Sequence, residues 1–136
     1  MAAKKTESIS LIPLLGCTLS VPCGSPKIQE KLRPLILSGQ AAIIDWIILE
    51  LMTRIRSDED QKTLNAFLMP LPRFDIDSSC WEAGWKLAVG LRKNGITPSA
   101  AECLIAATAI RHQVSLIHLD QDFEAIARHS SLQDLN

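Results

Sequence analysis

The chain has 136 residues, of which 47% are hydrophobic and 21% are charged, and its formal net charge is −1 at neutral pH. This length suits one domain with a full apolar core, which we expect to span residues 1–136. The near-neutral charge excludes the overall basicity typical of many nucleic-acid-binding proteins, but it is compatible with a local basic patch.

Cysteine spacing and the N-terminal apolar run predict a reduced, cytoplasmic protein without a membrane segment. The cysteines are Cys17, Cys23, Cys80 and Cys103. None of them forms the C-x-x-C pair of a zinc or redox site. Residues 9–23 are mostly apolar, but Pro13, Gly16 and Pro22 interrupt them, and the run is too short to cross a bilayer. Pro13 and Gly16 also argue against a regular central strand in this segment.

The next part of the chain alternates helical and strand patterns. A helix is predicted to begin near Pro26 and to stop at Gly39, with Pro34 kinking it or ending it early. The run QAAII predicts a short buried strand, and Asp45 directly after it is a possible N-cap. The helix that follows has one apolar face, made of Ile47, Ile48, Leu51, Met52 and Ile55.

The second half of the chain continues this alternation. A helix ends at Pro70, RFDID predicts a brief strand, and a long amphipathic helix ends at Gly95. Its predicted inward face consists of Trp81, Trp85, Ala88 and Leu91. A further helix, the strand VSLIHLD and a short helix complete the chain. Short buried strands alternating with helices predict an α/β fold with a parallel sheet covered on both faces.

Acidic residues recur at the predicted junctions between strands and helices. They are Glu50, Glu102, Asp120 and Asp122. In an open parallel sheet, ligands bind beyond the carboxyl ends of the strands. Several carboxylates gathered there would repel one another unless a cation lay between them. Hard oxygen ligands of this kind suit Mg²⁺ or Mn²⁺.

Each of these acids also has an ordinary structural role open to it. Asp120 is placed to cap the following helix, and Asp122 lies in its first turn, where the helix dipole favours an acid. Ser99 and Glu102 have the spacing of a capping box. Glu50 has the spacing of an exposed i,i+4 ion pair with a basic residue. The residues alone leave both interpretations open.

Three stretches taken in order resemble the PIN-domain family, and within it the VapC-type toxin nucleases. They are LSGQAAIIDWIILELMTRIRSD, AVGLRKNGITPSAAECLIAATAI and VSLIHLDQDFEAIA. The similarity covers about Ile28 to Leu132. It implies a three-layer α/β/α sandwich on a short parallel sheet and a ribonuclease that depends on Mg²⁺ or Mn²⁺. It also implies a homodimer and a cognate antitoxin that holds the toxin inactive.

The resemblance assigns metal-binding and catalytic roles to Glu50, Glu102 and Asp120, with Asp122 as an auxiliary ligand. The position of Glu102 is normally aspartate in the family. The family's first acid, expected near Pro13, has no counterpart, so residues 1–25 form an atypical N-terminal segment that we interpret as a degenerate or misassigned toxin end. The alternative function is therefore a catalytically impaired module that still dimerises and binds an antitoxin or RNA.

Basic residues are the candidates for contacts with RNA phosphates. They are Arg54, Arg56, Arg92, Lys93 and Arg111. Such contacts would make RNA binding depend on salt. The competing interpretation is ordinary solvated surface charge. An exposed apolar patch containing Trp46, Trp81 or Trp85 would mark a partner surface, whereas aromatic residues at helical spacing are more often core.

Overall fold

A parallel sheet organises the chain in the computed structural model, which describes residues 10–11, 26–118 and 121–134. The strands are β1 (Ser10–Leu11), β2 (Ala41–Ile44), β3 (Arg73–Phe74), β4 (Ser115–Leu116) and β5 (Gln133–Asp134). Their spatial order is β3-β2-β1-β4-β5, and every pairing is parallel. The chain runs outward from β1 on one side and returns to β4 on the other. The topological switch point therefore lies between β1 and β4.

Six helices connect the strands of the described part. They are α1 (Pro26–Leu37), α2 (Asp45–Arg54), α3 (Asp58–Leu68), α4 (Ser78–Lys93), α5 (Ala100–Arg111) and α6 (Gln121–Arg128). Parallel crossovers are right-handed, so α1 to α3 cover one face and α4 to α6 the other. The predicted three-layer α/β/α sandwich with a short parallel sheet is confirmed.

The central strand lies where the sequence argued against one. Ser10 and Leu11 pair with Ala41 and Ala42 on one side. On the other side they pair with Ser115 and Leu116. A proline removes a backbone donor only at its own position, so strand pairing before it is unaffected. Pro13 and Gly16 themselves lie outside the described residues.

Helix α1 runs through Pro34 to Leu37, so the predicted early end is wrong. Proline deprives the carbonyl four residues earlier, that of Glu30, of its helical donor. Glu30 and Pro34 are both exposed, where water can bind that carbonyl. The predicted stop at Gly39 is confirmed: its φ is +71°, and the Gln40 amide closes the helix on the Leu35 carbonyl at 2.7 Å.

Helix α2 begins without a side-chain cap, which makes the predicted N-cap role of Asp45 wrong. The capping position is Ile44, and Asp45 is the first helical residue. Its carboxylate instead accepts a hydrogen bond from the Arg73 guanidinium at 3.3 Å, which ties the ends of β2 and β3 together. The predicted apolar face is confirmed, with Ile47 and Leu51 fully buried.

The inward face of α4 is rotated from the predicted one. Trp81 is 46% exposed and Trp85 is 60% exposed, so their assignment to the core is wrong. The buried face carries Cys80, Gly84 and Leu91. Gly84 faces α5, where its Cα hydrogen side lies opposite the Leu104 backbone.

Helix α5 is surrounded by protein. Every residue from Cys103 to Ala109 is buried, so the middle two turns of this helix contact protein on all sides. Burial raises the pKa of the Cys103 thiol, with the Glu102 charge as a smaller cause, and burial likewise raises that of Cys80. The predicted buried thiols are confirmed. None of the described helices is both long and apolar enough to cross a membrane.

Candidate active site

Glu50 projects from α2, whose chain enters the helix directly from β2. It lies in the second helical turn and is half-buried. The alternative interpretation paired it with Arg54 on the surface. No ion pair joins these two side chains, both of which lie in the described part. Glu50 is therefore a half-buried carboxylate near the carboxyl edge of the sheet, and it does not form the surface ion pair with Arg54.

Glu102 forms the capping box that its spacing predicted. The Ser99 amide donates to Glu102 Oε2 at 2.8 Å, and the Glu102 amide donates to Ser99 Oγ at 3.2 Å. The side chain is half-buried at the start of α5. A capping role and a ligand role are compatible in principle because a carboxylate has two oxygens and about four lone-pair sites.

Asp120 lies outside the described residues. Among the described residues before and after it, His118 is 1% exposed and Phe123 is 0% exposed. Their rings contact each other with centroids 5.1 Å apart. Asp122 is exposed in the first turn of α6, where the predicted favourable position for an acid is confirmed.

The described acids do not by themselves assemble a metal site. Among residues 10–11, 26–118 and 121–134, no group of three or more His, Cys, Asp or Glu side chains could hold a metal ion. Glu50, Glu102 and Asp122 offer the oxygen ligands that Mg²⁺ and Mn²⁺ prefer. The donor chemistry of these three acids fits such an ion, and the fourth predicted acid, Asp120, lies outside the described residues.

The predicted RNA-contacting residues fall into two groups. Arg54, Arg56, Arg92 and Lys93 are exposed near the ends of α2 and α4. Arg56 also lines a cavity of about 330 Å³ between α2 and α3. Arg111 is different because its Nη2 donates to Ser79 Oγ at 2.9 Å, joining the end of α5 to the start of α4.

The start of α4 contains a polar network that sequence reasoning missed. Asp77 is the N-cap, and its carboxylate accepts from the Ser79 hydroxyl and the Cys80 amide. The Ser79 bond, followed by the Cys80 amide, lowers the pKa of Asp77 to about 2. His112 Nε2 donates to the Asp75 carbonyl at 3.0 Å nearby. The sequence Asp77-Ser78-Ser79, in which Asp77 directly precedes the helix, was the available signal for this cap.

The fold and the acids together define a class of protein. It is an α/β domain whose parallel sheet is covered by helices on both faces and has carboxylates near the carboxyl ends of its strands. The chain belongs to the PIN-domain family, whose model matches residues 24–129. A VapC ribonuclease of Mycobacterium bovis is 35% identical over 106 residues, covering 72% of this chain and 77% of that protein. Ribonuclease VapC21 of Mycobacterium tuberculosis is 31% identical over 105 residues, covering 75% and 76%.

Solved structures agree with the fold. VapBC2 from Rickettsia felis, crystallised with a DNA fragment from its promoter, superposes with a TM-score of 0.76 at 20% identity. The superposition covers 93% of this chain and 97% of that one. FitAcB from Neisseria gonorrhoeae gives a TM-score of 0.67 at 18% identity, covering 93% and 96%.

Proposed function

We propose that the protein is a divalent-metal-dependent endoribonuclease and the toxin of a type II, VapBC-like toxin–antitoxin pair. The observation that supports this most is the 31–35% identity to VapC ribonucleases over most of the chain. The PIN match at residues 24–129 includes Glu50, Glu102 and Asp120.

In this proposal, Glu50, Glu102 and Asp120 hold Mg²⁺ or Mn²⁺, and Asp122 assists. The ion would supply positive charge for the scissile phosphate and acidify a bound water. Glu102 is oriented through the Ser99 amide, which fixes one of its oxygens. The half-burial of Glu50 excludes part of its water shell and strengthens its attraction for a cation.

The proposed partners follow from the same relatives. RNA is the substrate, and Arg54, Arg56, Arg92 and Lys93 are exposed cations that can contact its phosphates. Arg111 can join them only through the part of its guanidinium that does not bind Ser79. A cognate antitoxin, a homodimeric state and a cytoplasmic location complete the proposal.

A catalytically impaired module that binds an antitoxin or RNA is the second candidate. Two observations favour it. The family's first acid has no counterpart near Pro13. Glu102 already has a structural role in the capping box. Such a module would keep the fold and its partners but would bind a metal ion weakly.

Calorimetric titration with Mn²⁺ separates the two candidates. We expect the wild type to bind the ion and Asp120→Asn to lose at least about tenfold in affinity, because a charged ligand becomes neutral. Glu59→Gln, which removes an exposed acid from α3, is the matched control and should bind as the wild type does. A folded wild type that binds no Mn²⁺ would support the impaired module instead.

A further inference from the structure

Helix α6 is short and is anchored by two side chains. It spans Gln121–Arg128, in which Phe123 and Ile126 are buried and the other residues are exposed or half-buried. A helix of this length is marginal by itself in water, so packing decides its position. Phe123 lies in the first turn, directly after Asp122, the proposed auxiliary metal ligand. The direction of that turn therefore depends on what Phe123 contacts.

Phe123 stacks on the ring of His118. The ring centroids are 5.1 Å apart and the interplanar angle is 46°. Aromatic pairs at such a separation attract each other by more than their buried area accounts for. His118 lies two residues beyond strand β4, is 1% exposed, and follows Leu116 and Ile117, which are buried as well. The stack therefore joins the end of a core strand to the first turn of α6.

An imidazole at this buried position needs a reason. An aliphatic side chain would fill a similar volume, and it would not require polar atoms to be taken out of water. An imidazole offers two features that an aliphatic side chain lacks, a flat ring and polar nitrogens. The contact between His118 and Phe123 uses the flat ring.

We propose that His118 is a positioning residue for Asp122. It acts through its stack on Phe123 and so sets the direction from which the Asp122 carboxylate reaches a bound ion. This inference rests on the proposed metal-dependent function. Residues that orient a metal ligand without touching the ion commonly change metal affinity by about 10- to 100-fold when they are substituted.

Calorimetric titration with Mn²⁺ at one fixed pH tests this role. His118→Phe keeps a ring that can stack, and His118→Leu keeps apolar bulk without a ring. We expect His118→Phe to bind the ion within about threefold of the wild type and His118→Leu to bind it about 10- to 100-fold more weakly. Leu64→Val removes a methylene from a fully buried residue of α3, so it controls for lost stability and should bind as the wild type does.

A double-mutant cycle tests whether the two rings act together. Phe123→Leu removes the partner ring and leaves the imidazole and its nitrogens in place. We expect it to weaken Mn²⁺ binding as His118→Leu does, and the double variant to be no weaker than either single variant, because the stack is lost only once. Additive losses would overturn the inference. So would a His118→Phe protein as weak as His118→Leu, since the ring nitrogens would then be what matters.

Hydrogen exchange in EDTA provides a test that needs no metal ion. The amides of Ala125 and Ile126 donate to carbonyls in the first turn of α6, because helical hydrogen bonds join residues four apart. These amides should exchange about 2- to 12-fold faster in His118→Leu and Phe123→Leu, which lose the attraction between the rings. Their exchange should be unchanged in His118→Phe and Leu64→Val. Equal exchange rates in all five proteins would overturn the inference.

The inference and the proposed function fail separately. A wild type that binds Mn²⁺, beside a His118→Leu protein that binds it equally well, would overturn the inference and leave the proposed function standing. A folded wild type that binds no Mn²⁺ would remove the proposed function. The exchange rates alone would then decide whether His118 positions the turn that carries Asp122.

Discussion

Glu102 shows how one residue can depart from a family pattern for a physical reason. The resemblance to the PIN family implies aspartate at this position. Glutamate is one methylene longer, and here its Oε2 reaches the Ser99 amide at 2.8 Å to complete a capping box. The longer side chain therefore stabilises the start of α5. The same extension alters the position from which a carboxylate can reach a metal ion, and catalysis is sensitive to shifts of about an ångström.

Two substitutions separate capping from metal binding at this position. Glu102→Gln keeps an oxygen that accepts the Ser99 amide proton, because glutamine also completes a capping box. We expect unchanged stability and at least about a tenfold loss of RNA cleavage. Glu102→Ala should lose cleavage and also about 1 kcal/mol of stability, measured by urea unfolding. A Glu102→Gln protein as active as the wild type would restrict Glu102 to its cap.

From the lowered pKa of Asp77 we expect a specific dependence of the protein's stability on pH. Its pKa falls from 3.8 to about 2 because the Ser79 hydroxyl, and then the Cys80 amide, bind its ionised form. A group with a lowered folded-state pKa stabilises the protein above its unfolded value, and the contribution disappears as pH falls through the folded value. The stabilisation should therefore be complete above about pH 4 and should fade towards pH 2.

Asp77→Asn keeps the oxygen acceptor and removes the titration. Urea unfolding should give the wild type a larger free energy of unfolding than Asp77→Asn. The difference should be constant above about pH 4 and should shrink below it. An advantage that does not change between pH 5 and pH 2 would show that the carboxylate charge is not what stabilises this end of α4.

At the scale of elements, the pairing of α4 with α5 organises one face of the sheet. A Cβ added at Gly84 would lie 3.7 Å from Leu104 Cα, an ordinary contact distance. Arg111 and His112 bind Ser79 and Asp75 at the far end of the pair. The helices are therefore fixed by close packing in the middle and by hydrogen bonds at one end.

Glycine substitutions in α4 measure how tight this contact is. Gly84→Ala should be neutral or stabilising by up to about 1 kcal/mol, because alanine favours the helix and its methyl group fits. A Cβ added at Gly90 would meet no atom within 4 Å, so Gly90→Ala measures only the preference of alanine over glycine in a helix. Gly84→Leu should cost about 1–3 kcal/mol by overpacking, as measured by urea unfolding. A stable Gly84→Leu would show that α4 and α5 can move apart freely.

Local signals predicted most elements because they act within a few residues. The capping box at Ser99, the stop at Gly39 and the apolar face of α2 all depend on neighbours in sequence. The errors arose where distant contacts decide. Trp81 and Trp85 have the spacing of a core face, but α4 packs through Cys80, Gly84 and Leu91 and leaves both tryptophans exposed.

At the scale of the molecule, the alternation of predicted strands and helices along the sequence indicated a parallel sheet covered on both faces. It did not indicate the order of the strands in that sheet. Nothing in the sequence around Ser10 shows that this two-residue strand lies at the centre of the sheet. The candidate site was predicted only as a set of acids near one edge. Whether acids so far apart in sequence meet depends on long-range packing, which short-range patterns do not determine.

The most direct test of the account is cleavage of a single-stranded RNA by the purified full chain, with Mg²⁺ and with EDTA, beside Glu50→Gln. Glu50 is half-buried and caps no helix, so its substitution changes a proposed ligand without removing a structural hydrogen bond of its side chain in the described part. We predict cleavage by the wild type in Mg²⁺, none in EDTA, and at least a hundredfold loss in Glu50→Gln. Cleavage that persists in EDTA, or a Glu50→Gln protein as active as the wild type, would contradict a carboxylate-held metal centre.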